Sequence, residues 1–303
     1  MEVSGVPRMN SKSRKTKLIL YAAALVYVML SISAGLVQTQ NASNGIQARP
    51  AEKQPINSNL PTLFIVGDST ANNNANGAQG WGDPFISYFD GKKLNVLNRA
   101  RGGRSSRTFI TEGLWDKVLS EMKRGDFVLI QFGHNDAGAI NDASRARGSL
   151  PDTGEETQEI DNLLTKKHEV VHTYGWYMRK MIADTKAKGA MPMVMSLTVR
   201  NIWKDVHVER GPGKFGQWAG EVARSQHVTF IDVTKLIADK YEELGVEKVK
   251  ELFATDHTHT SPAGAELNAS LVVAGLKLLR SKPLNRYLSA KGKAVKPERQ
   301  KRL

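Results

Sequence analysis

Five short runs of almost unbroken apolar residues recur along this chain, and they constrain its fold more than any other feature. They are Thr62–Gly67, Leu94–Asn98, Asp126–Gly133, Met191–Thr198 and Val228–Val233. Strands this apolar on both faces need cover on both sides, which is the condition of a parallel sheet between helix layers. Amphipathic stretches fall between and around them: Asp83–Phe89, Gly113–Lys123, Lys167–Lys188, Phe215–Gln226, Thr234–Leu244 and Ser261–Leu279. Ser261-Pro262 is an N-cap followed by proline at the first helical position. Lys167–Lys188 closes on Gly189 and Pro192. The alternation predicts a three-layer α/β/α sandwich around a mostly parallel five-stranded sheet. The polar segment Ala137–Thr165 has neither helical nor strand period. It reads as a long insertion loop within one domain, placed to shape a binding site.

The charge is unevenly placed. The 303 residues sum to +13, which alone would suit a polyanionic partner. Residues 1–37 carry +4 and residues 277–303 carry +9, so 38–276 is neutral. Nucleic-acid enzymes carry their basic stripe on the folded body, so no nucleic-acid partner is expected. The uncharged run Leu18–Val37 follows a basic segment and ends in small residues. It reads as an export signal, either cleaved or kept as an N-terminal membrane anchor, and the body is then exported. The domain reading is 1–37 signal or anchor, 38–60 linker, 61–280 folded domain and 281–303 basic, solvated tail. There is no cysteine, which excludes disulfides, thiolate metal sites and a cysteine nucleophile. Oligomeric state is not legible.

Open α/β sheets bind ligands at the carboxyl ends of their strands. Gly67-Asp68-Ser69-Thr70 follows the first run, Asn98–Arg107 the second, and Gly133-His134-Asn135-Asp136 the third. Asp256-His257-Thr258-His259 follows the fifth and its helices. A serine hydroxyl needs a base to become a nucleophile, and Ser69 and His259 supply that pair. Asp256 can fold back to hold the imidazole in the useful tautomer. The developing oxyanion needs fixed donors, for which the Ser69 amide, a glycine of "RGGRS" and the Asn135 carboxamide are candidates. Each piece also has an ordinary structural role: helix N-cap, polar loop, Gly-rich turn, Asx turn. "GDSTA" lacks the second glycine of the nucleophile elbow of α/β-hydrolases.

Taken in order, "GDST", a glycine block, "GHND" and a terminal Asp-x-x-His resemble the SGNH (GDSL-type) hydrolases. "GDSTA", "GGRSSRTF", "FGHND", "LTKKHEVVHTYGWYMRKMIADTKAKGA" and "TDHTHTSPAGAELNA" are closest to the rhamnogalacturonan acetylesterases, the carbohydrate esterase family 12 type. The resemblance covers about Thr62 to Leu279. It implies a flavodoxin-like SGNH hydrolase fold and a cofactor-free, metal-free serine esterase. That enzyme removes O-acetyl groups from plant cell-wall polysaccharide, pectic rhamnogalacturonan above all. Carried over by motif, Ser69 is the nucleophile and Asp256 and His259 complete the triad. Ser69, Gly103 and Asn135 form the oxyanion hole. Arg104, Arg107, His134 and Trp203 are the expected substrate contacts, since arginine pairs with carboxylates and tryptophan stacks on sugars.

Two other motifs compete. His168-Glu169-Val170-Val171-His172 fits H-E-x-x-H. On a helix it would place two histidines on one face, as a zinc-dependent peptidase requires. The third histidine of the extended form is missing, since position 178 is Met. Gly211–Gly216 fits G-x-G-x-x-G, but the charged residues before it are unsuited to the buried strand that motif needs. The remaining alternative is an SGNH esterase acting on other acetylated glycans or small esters.

Overall fold

The five apolar runs are the five strands of one sheet. The computed structural model describes Met1 and residues 56–297. The export signal or anchor and most of the linker lie outside the described residues. The strands in chain order are β1 (Thr62–Gly67), β2 (Asn95–Asn98), β3 (Phe127–Gln131), β4 (Thr157–Asp161), β5 (His168–His172), β6 (Met191–Met195), β7 (Trp203–Lys204), β8 (His207–Val208) and β9 (Thr229–Ile231). The main sheet runs β2-β1-β3-β6-β9, and all four of its pairings are parallel. β4–β5 and β7–β8 are separate antiparallel ribbons.

Alternate residues of the strands feed two cores, as the two-residue period of a strand requires. Leu63, Ile65, Leu129, Met193 and Met195 face the layer that holds Trp81, Phe85, Tyr241 and Val272. Phe64, Val66, Val128, Ile130 and Val194 face the layer that holds Phe109, Trp115, Met178 and Ala219. Helices Val233–Leu244 and Pro262–Leu278 belong to the first layer. Ser106–Thr111, Leu114–Glu121, Tyr174–Ala187 and Phe215–Ser225 belong to the second. Ser261 caps Pro262–Leu278 as its sequence predicts, accepting the Gly264 amide at 3.4 Å.

Three sequence expectations are corrected. First, His168–His172 is strand β5, and the helix begins only at Tyr174. Thr173 is the boundary, extended and accepting the Trp176 amide as N-cap. Residues four apart on a strand are roughly 13 Å apart, so the two histidines do not meet as they would on one helical turn. Second, the stretch 137–165 is not wholly irregular, because Thr157–Asp161 pairs with β5. Third, the segment beyond 280 is no solvated tail as far as Val295. Leu284, Tyr287 and Leu288 are buried in the first core. The Ser289 amide donates to Tyr88 O at 2.9 Å, and Lys291 pairs with Glu266 at 2.8 Å. Three apolar side chains among many bases were enough to dock it.

Candidate active site

The winding of the sheet fixes where a ligand can sit. The chain crosses from β1 to β2 on one side and then returns past β1 to β3. The crevice outside the carboxyl ends of β1 and β3 is therefore the switch point at which doubly wound sheets bind ligands. Ser69 lies just beyond β1, His134 and Asn135 just beyond β3, and His259 just before helix Pro262–Leu278.

Ser69 Oγ lies 2.8 Å from His259 Nε2, and His259 Nδ1 lies 2.6 Å from Asp256 Oδ2. The other Asp256 oxygen accepts the amides of Thr258 at 2.7 Å and His259 at 2.8 Å, so the turn folds around its own carboxylate. Burial raises the Asp256 carboxyl, but hydrogen bonds from the His259 ring and from these two amides outweigh it and hold the group below its ordinary value. It stays anionic where an imidazolium would form. Beneath Ser69, the buried Asp68 accepts the Thr70 amide and hydroxyl, both at 2.8 Å, which fixes the turn that presents the serine.

Gly103 has φ +80°, a conformation that an L side chain adopts only with strain. Among the described residues, the amides of Ser69 and Gly103 have no acceptor. Asn135 Nδ2 gives one hydrogen to Arg104 O at 2.8 Å, which leaves its second for the pocket. These groups border a pocket of about 390 Å³. Its remaining lining is Asn73, Gly102, His134, Thr258, Arg145, Arg147 and Arg200, with no hydrocarbon side chain.

Of the four expected substrate contacts, only His134 lines this pocket. Its Nε2 lies 3.2 Å from Thr198 Oγ1. Burial presses its pKa down to about 4, so the ring is neutral. Arg104 turns away to Glu112 at 2.8 Å. Arg107 is fully buried: it holds Glu169 with both Nε and a terminal nitrogen at 2.7 Å and donates to Ile140 O and Gly148 O. Trp203 donates to Asn201 Oδ1 at 2.7 Å and packs against the first core.

Sequence reasoning missed Arg145, Arg147 and Arg200. Arg200 follows β6, so the carboxyl-edge rule applied to that strand would have flagged it. The other two sit on the insertion, where only their position in a polar loop hinted at a site. In the competing motif, Glu169 is committed to Arg107 and Asn162, and His172 stacks on Trp176 at 3.8 Å.

A hydroxyl, an imidazole and a carboxylate in line at the carboxyl edge of a doubly wound sheet define the class: this is an α/β serine hydrolase. The chain belongs to the GDSL-like lipase/acylhydrolase family, whose model matches residues 65–267. A rhamnogalacturonan acetylesterase of Emericella nidulans is 32% identical over 208 residues, covering 69% of this chain and 81% of that protein. A probable rhamnogalacturonan acetylesterase of Bacillus subtilis is 29% identical over 229 residues, covering 72% of this chain and 93% of that protein. The crystal structure of the Bacillus subtilis protein YxiM matches with a TM-score of 0.58 at 24% identity. That match covers 72% of this chain and 56% of YxiM and is a likeness of fold.

Proposed function

We propose that this protein is an exported acetylesterase that removes O-acetyl groups from pectic rhamnogalacturonan through an acetyl-enzyme. The observation that carries the reading is the Asp256–His259–Ser69 chain opening into a small pocket without one apolar side chain. Such a pocket has no hydrocarbon side chain to hold a long acyl chain and many polar groups for a sugar hydroxyl. Two relatives named as rhamnogalacturonan acetylesterases support the polymer.

The geometry gives each residue a task. His259 Nε2 takes the Ser69 proton as Oγ attacks the acetyl carbonyl. The Ser69 and Gly103 amides and the free Asn135 hydrogen meet the oxyanion. His259 then protonates the departing sugar oxygen, and the acetyl group stays on Ser69. A water deprotonated by the same nitrogen releases acetate and restores the hydroxyl. Asp256 carries no proton in either half. It orients the ring and stabilises its charge.

Ser69→Ala tests the reading on acetylated rhamnogalacturonan. The expected loss in kcat is at least about a thousandfold, since the residual rate rests on binding and the oxyanion donors alone. Acetate release near the wild-type rate would overturn the assignment. A panel of acetylated xylan and small esters, run beside the pectin, ranks the polymers.

A further inference from the structure

The Ser69 pocket occupies the carboxyl edge of the sheet, and bases collect at the opposite edge, where the strands begin. Residues 90–94 lead into β2, 122–126 into β3 and 186–190 into β6, and 279–297 close over the same edge. Hydrogen bonds and a ring contact join these segments into one face. The Asp90 amide donates to Tyr287 O at 2.8 Å, and the Tyr287 ring meets that of Phe127 at 5.8 Å. The Gly125 amide donates to Gly189 O at 3.0 Å. Residues 56–61 join the face as well: the Asn57 amide donates to Asn95 Oδ1 at 3.1 Å, and Lys123 Nζ donates to Ser58 O.

The first three segments hold Lys92, Lys93, Lys123, Arg124, Lys186 and Lys188, all exposed. Residues 279–297 hold six more bases and no acid. The acids of this face are already committed. Asp126 is buried beneath the amides of Thr62 and Lys123, Asp90 takes Lys93 at 3.3 Å, and Glu266 takes Lys291 at 2.8 Å. Three large apolar side chains stand among the bases: Ile56 is 54% exposed, Met191 43% and Leu278 42%. Bases alone suit any polyanion. Bases interleaved with exposed apolar side chains suit an anionic bilayer, where cations meet the headgroups and apolar groups enter the acyl boundary. The chain also enters the folded body at this edge, at Ile56, with only residues 38–55 between it and the uncharged run Leu18–Val37.

We propose that the amino edge of the sheet is a membrane-contact face whose partner is a bilayer rich in anionic lipid. The bases then lie on headgroups, and the Ser69 pocket, at the far end of strands roughly 17–20 Å long, opens away from the lipid. Kept as an anchor, Leu18–Val37 tethers the face through 38–55 at an effective concentration in about the millimolar range, so a modest contact suffices. The inference is independent of the chemistry at Ser69. An acidic polysaccharide matches the bases but not the apolar side chains, and that difference separates the two.

The test inserts the full chain into neutral phosphatidylcholine vesicles and into vesicles enriched in phosphatidylglycerol. An amine-acetylating reagent, read by mass spectrometry, then reports lysine accessibility. In anionic vesicles Lys123, Lys188 and Lys282 should react at least about fivefold more slowly than in neutral ones, the worth of one base held at an anionic surface. Lys204 and Lys214, in the segment that leaves the carboxyl edge of β6, should react equally in both. High salt should abolish the difference. R280E/K282E should return Lys123 and Lys188 to within about twofold of their neutral-vesicle rates. M191S should weaken the protection too. All three substituted positions are exposed, and unchanged thermal unfolding checks the fold of each variant. Equal reactivity of the face lysines in both vesicles overturns the proposal, and so does protection that survives R280E/K282E. Stronger protection of the same lysines by soluble polygalacturonate, in neutral vesicles and indifferent to M191S, also overturns it and assigns the face to an acidic polymer.

Discussion

The segments that leave β2 and β3 both carry clustered arginines, and they use them in opposite ways. After β2, Arg99, Arg104 and Arg107 each turn to a glutamate, at positions 121, 112 and 169. After β3, Arg145 and Arg147 have no acid to turn to. The acid three residues before Arg145, Asp142, bends back onto the amides of Ser144 and Arg145 and the Ser144 hydroxyl. A guanidinium goes where a carboxylate lies within reach. Three of the four arginines of the first region, Arg101 excepted, found acids inside the protein, and those of the second are left to find one outside. The regions are also one mechanical unit. Arg107 holds the carbonyls of Ile140 and Gly148, which bracket the loop bearing Arg145 and Arg147. At Gly148 a Cβ would lie 1.9 Å from Gly138 O, so the loop closes on itself as well.

The largest effect should come from breaking that clamp. Arg107→Ala leaves a partly buried glutamate without its cation, held by Asn162 alone, and frees two carbonyls. The expected cost is about 3–5 kcal/mol, as for other buried pairs that lose one partner. In a domain this size that is roughly 6–20 °C in Tm, read by thermal unfolding. Arg107→Lys keeps the charge but not the two-pronged fork and should recover little of it. Replacing both partners, Arg107→Met with Glu169→Leu, should restore much of the stability. If the double variant folds well yet hydrolyses acetylated pectin at the Arg107→Ala level, Arg107 is a substrate contact after all and the contrast between the regions collapses.

Next in size is a pH effect at the residues that join the two regions. Asp136 accepts the Ser106 amide at 3.1 Å on one side and the Ser149 hydroxyl at 3.2 Å on the other. Burial lifts its pKa to about 6 against those hydrogen bonds. Between the unfolded carboxyl value and about 6, the folded chain therefore holds a proton that the unfolded chain has released, and stability falls as pH rises. His134, two residues earlier, runs the other way. Burial holds it to about 4, with Arg200 and His259 adding and Asp68 and Thr198 opposing. The unfolded chain binds more protons there, so stability is full above the unfolded histidine value and is lost as pH falls toward about 4. Across the shared window the slopes oppose, and wild type should change little. His134→Gln should expose a loss of about 2–3 kcal/mol on raising the pH from 4 to 6, and Asp136→Asn a similar loss on lowering it. Denaturant titrations at a pH series would show both. Two variants that keep the wild-type profile would remove these groups from the account.

The difference between the regions also marks how far the sequence was legible. The sheet was readable because a strand buried on both faces must be apolar along its length, and β1 and β3 are. The hydroxyl, imidazole and carboxylate were readable because each lies within a few residues of a strand end or a helix cap. Arg107 was misread because its partner is 62 positions away, on a strand that mimics a metal-binding helix. His168–His172 has the spacing of that helix, and only its pairing with Thr157–Asp161 makes it a strand. The docked end at Leu284–Leu288 was hidden by the bases around it, since composition averages over the few side chains that bury. Nonlocal pairing was the common cause of these errors.

The smallest effect tests the comparison from the exposed side. Arg99–Glu121 and Arg104–Glu112 are about one-third exposed on the arginine side and somewhat more on the acid side. Such pairs are screened by water and salt and are typically worth less than about 1 kcal/mol. Arg99→Ala and Arg104→Ala should therefore shift Tm by no more than about 4 °C. Asn135 is held by the Arg104 carbonyl, which the substitution keeps, so the pocket donor stays in place. Both variants should retain the wild-type preference for free-acid over methyl-esterified pectin, measured as a ratio of kcat/KM. Arg145→Gln should lose it. If Arg104→Ala cost about tenfold on the acidic polymer, an arginine after β2 would face the substrate too, and the division of the arginines into internal and external sets would fail.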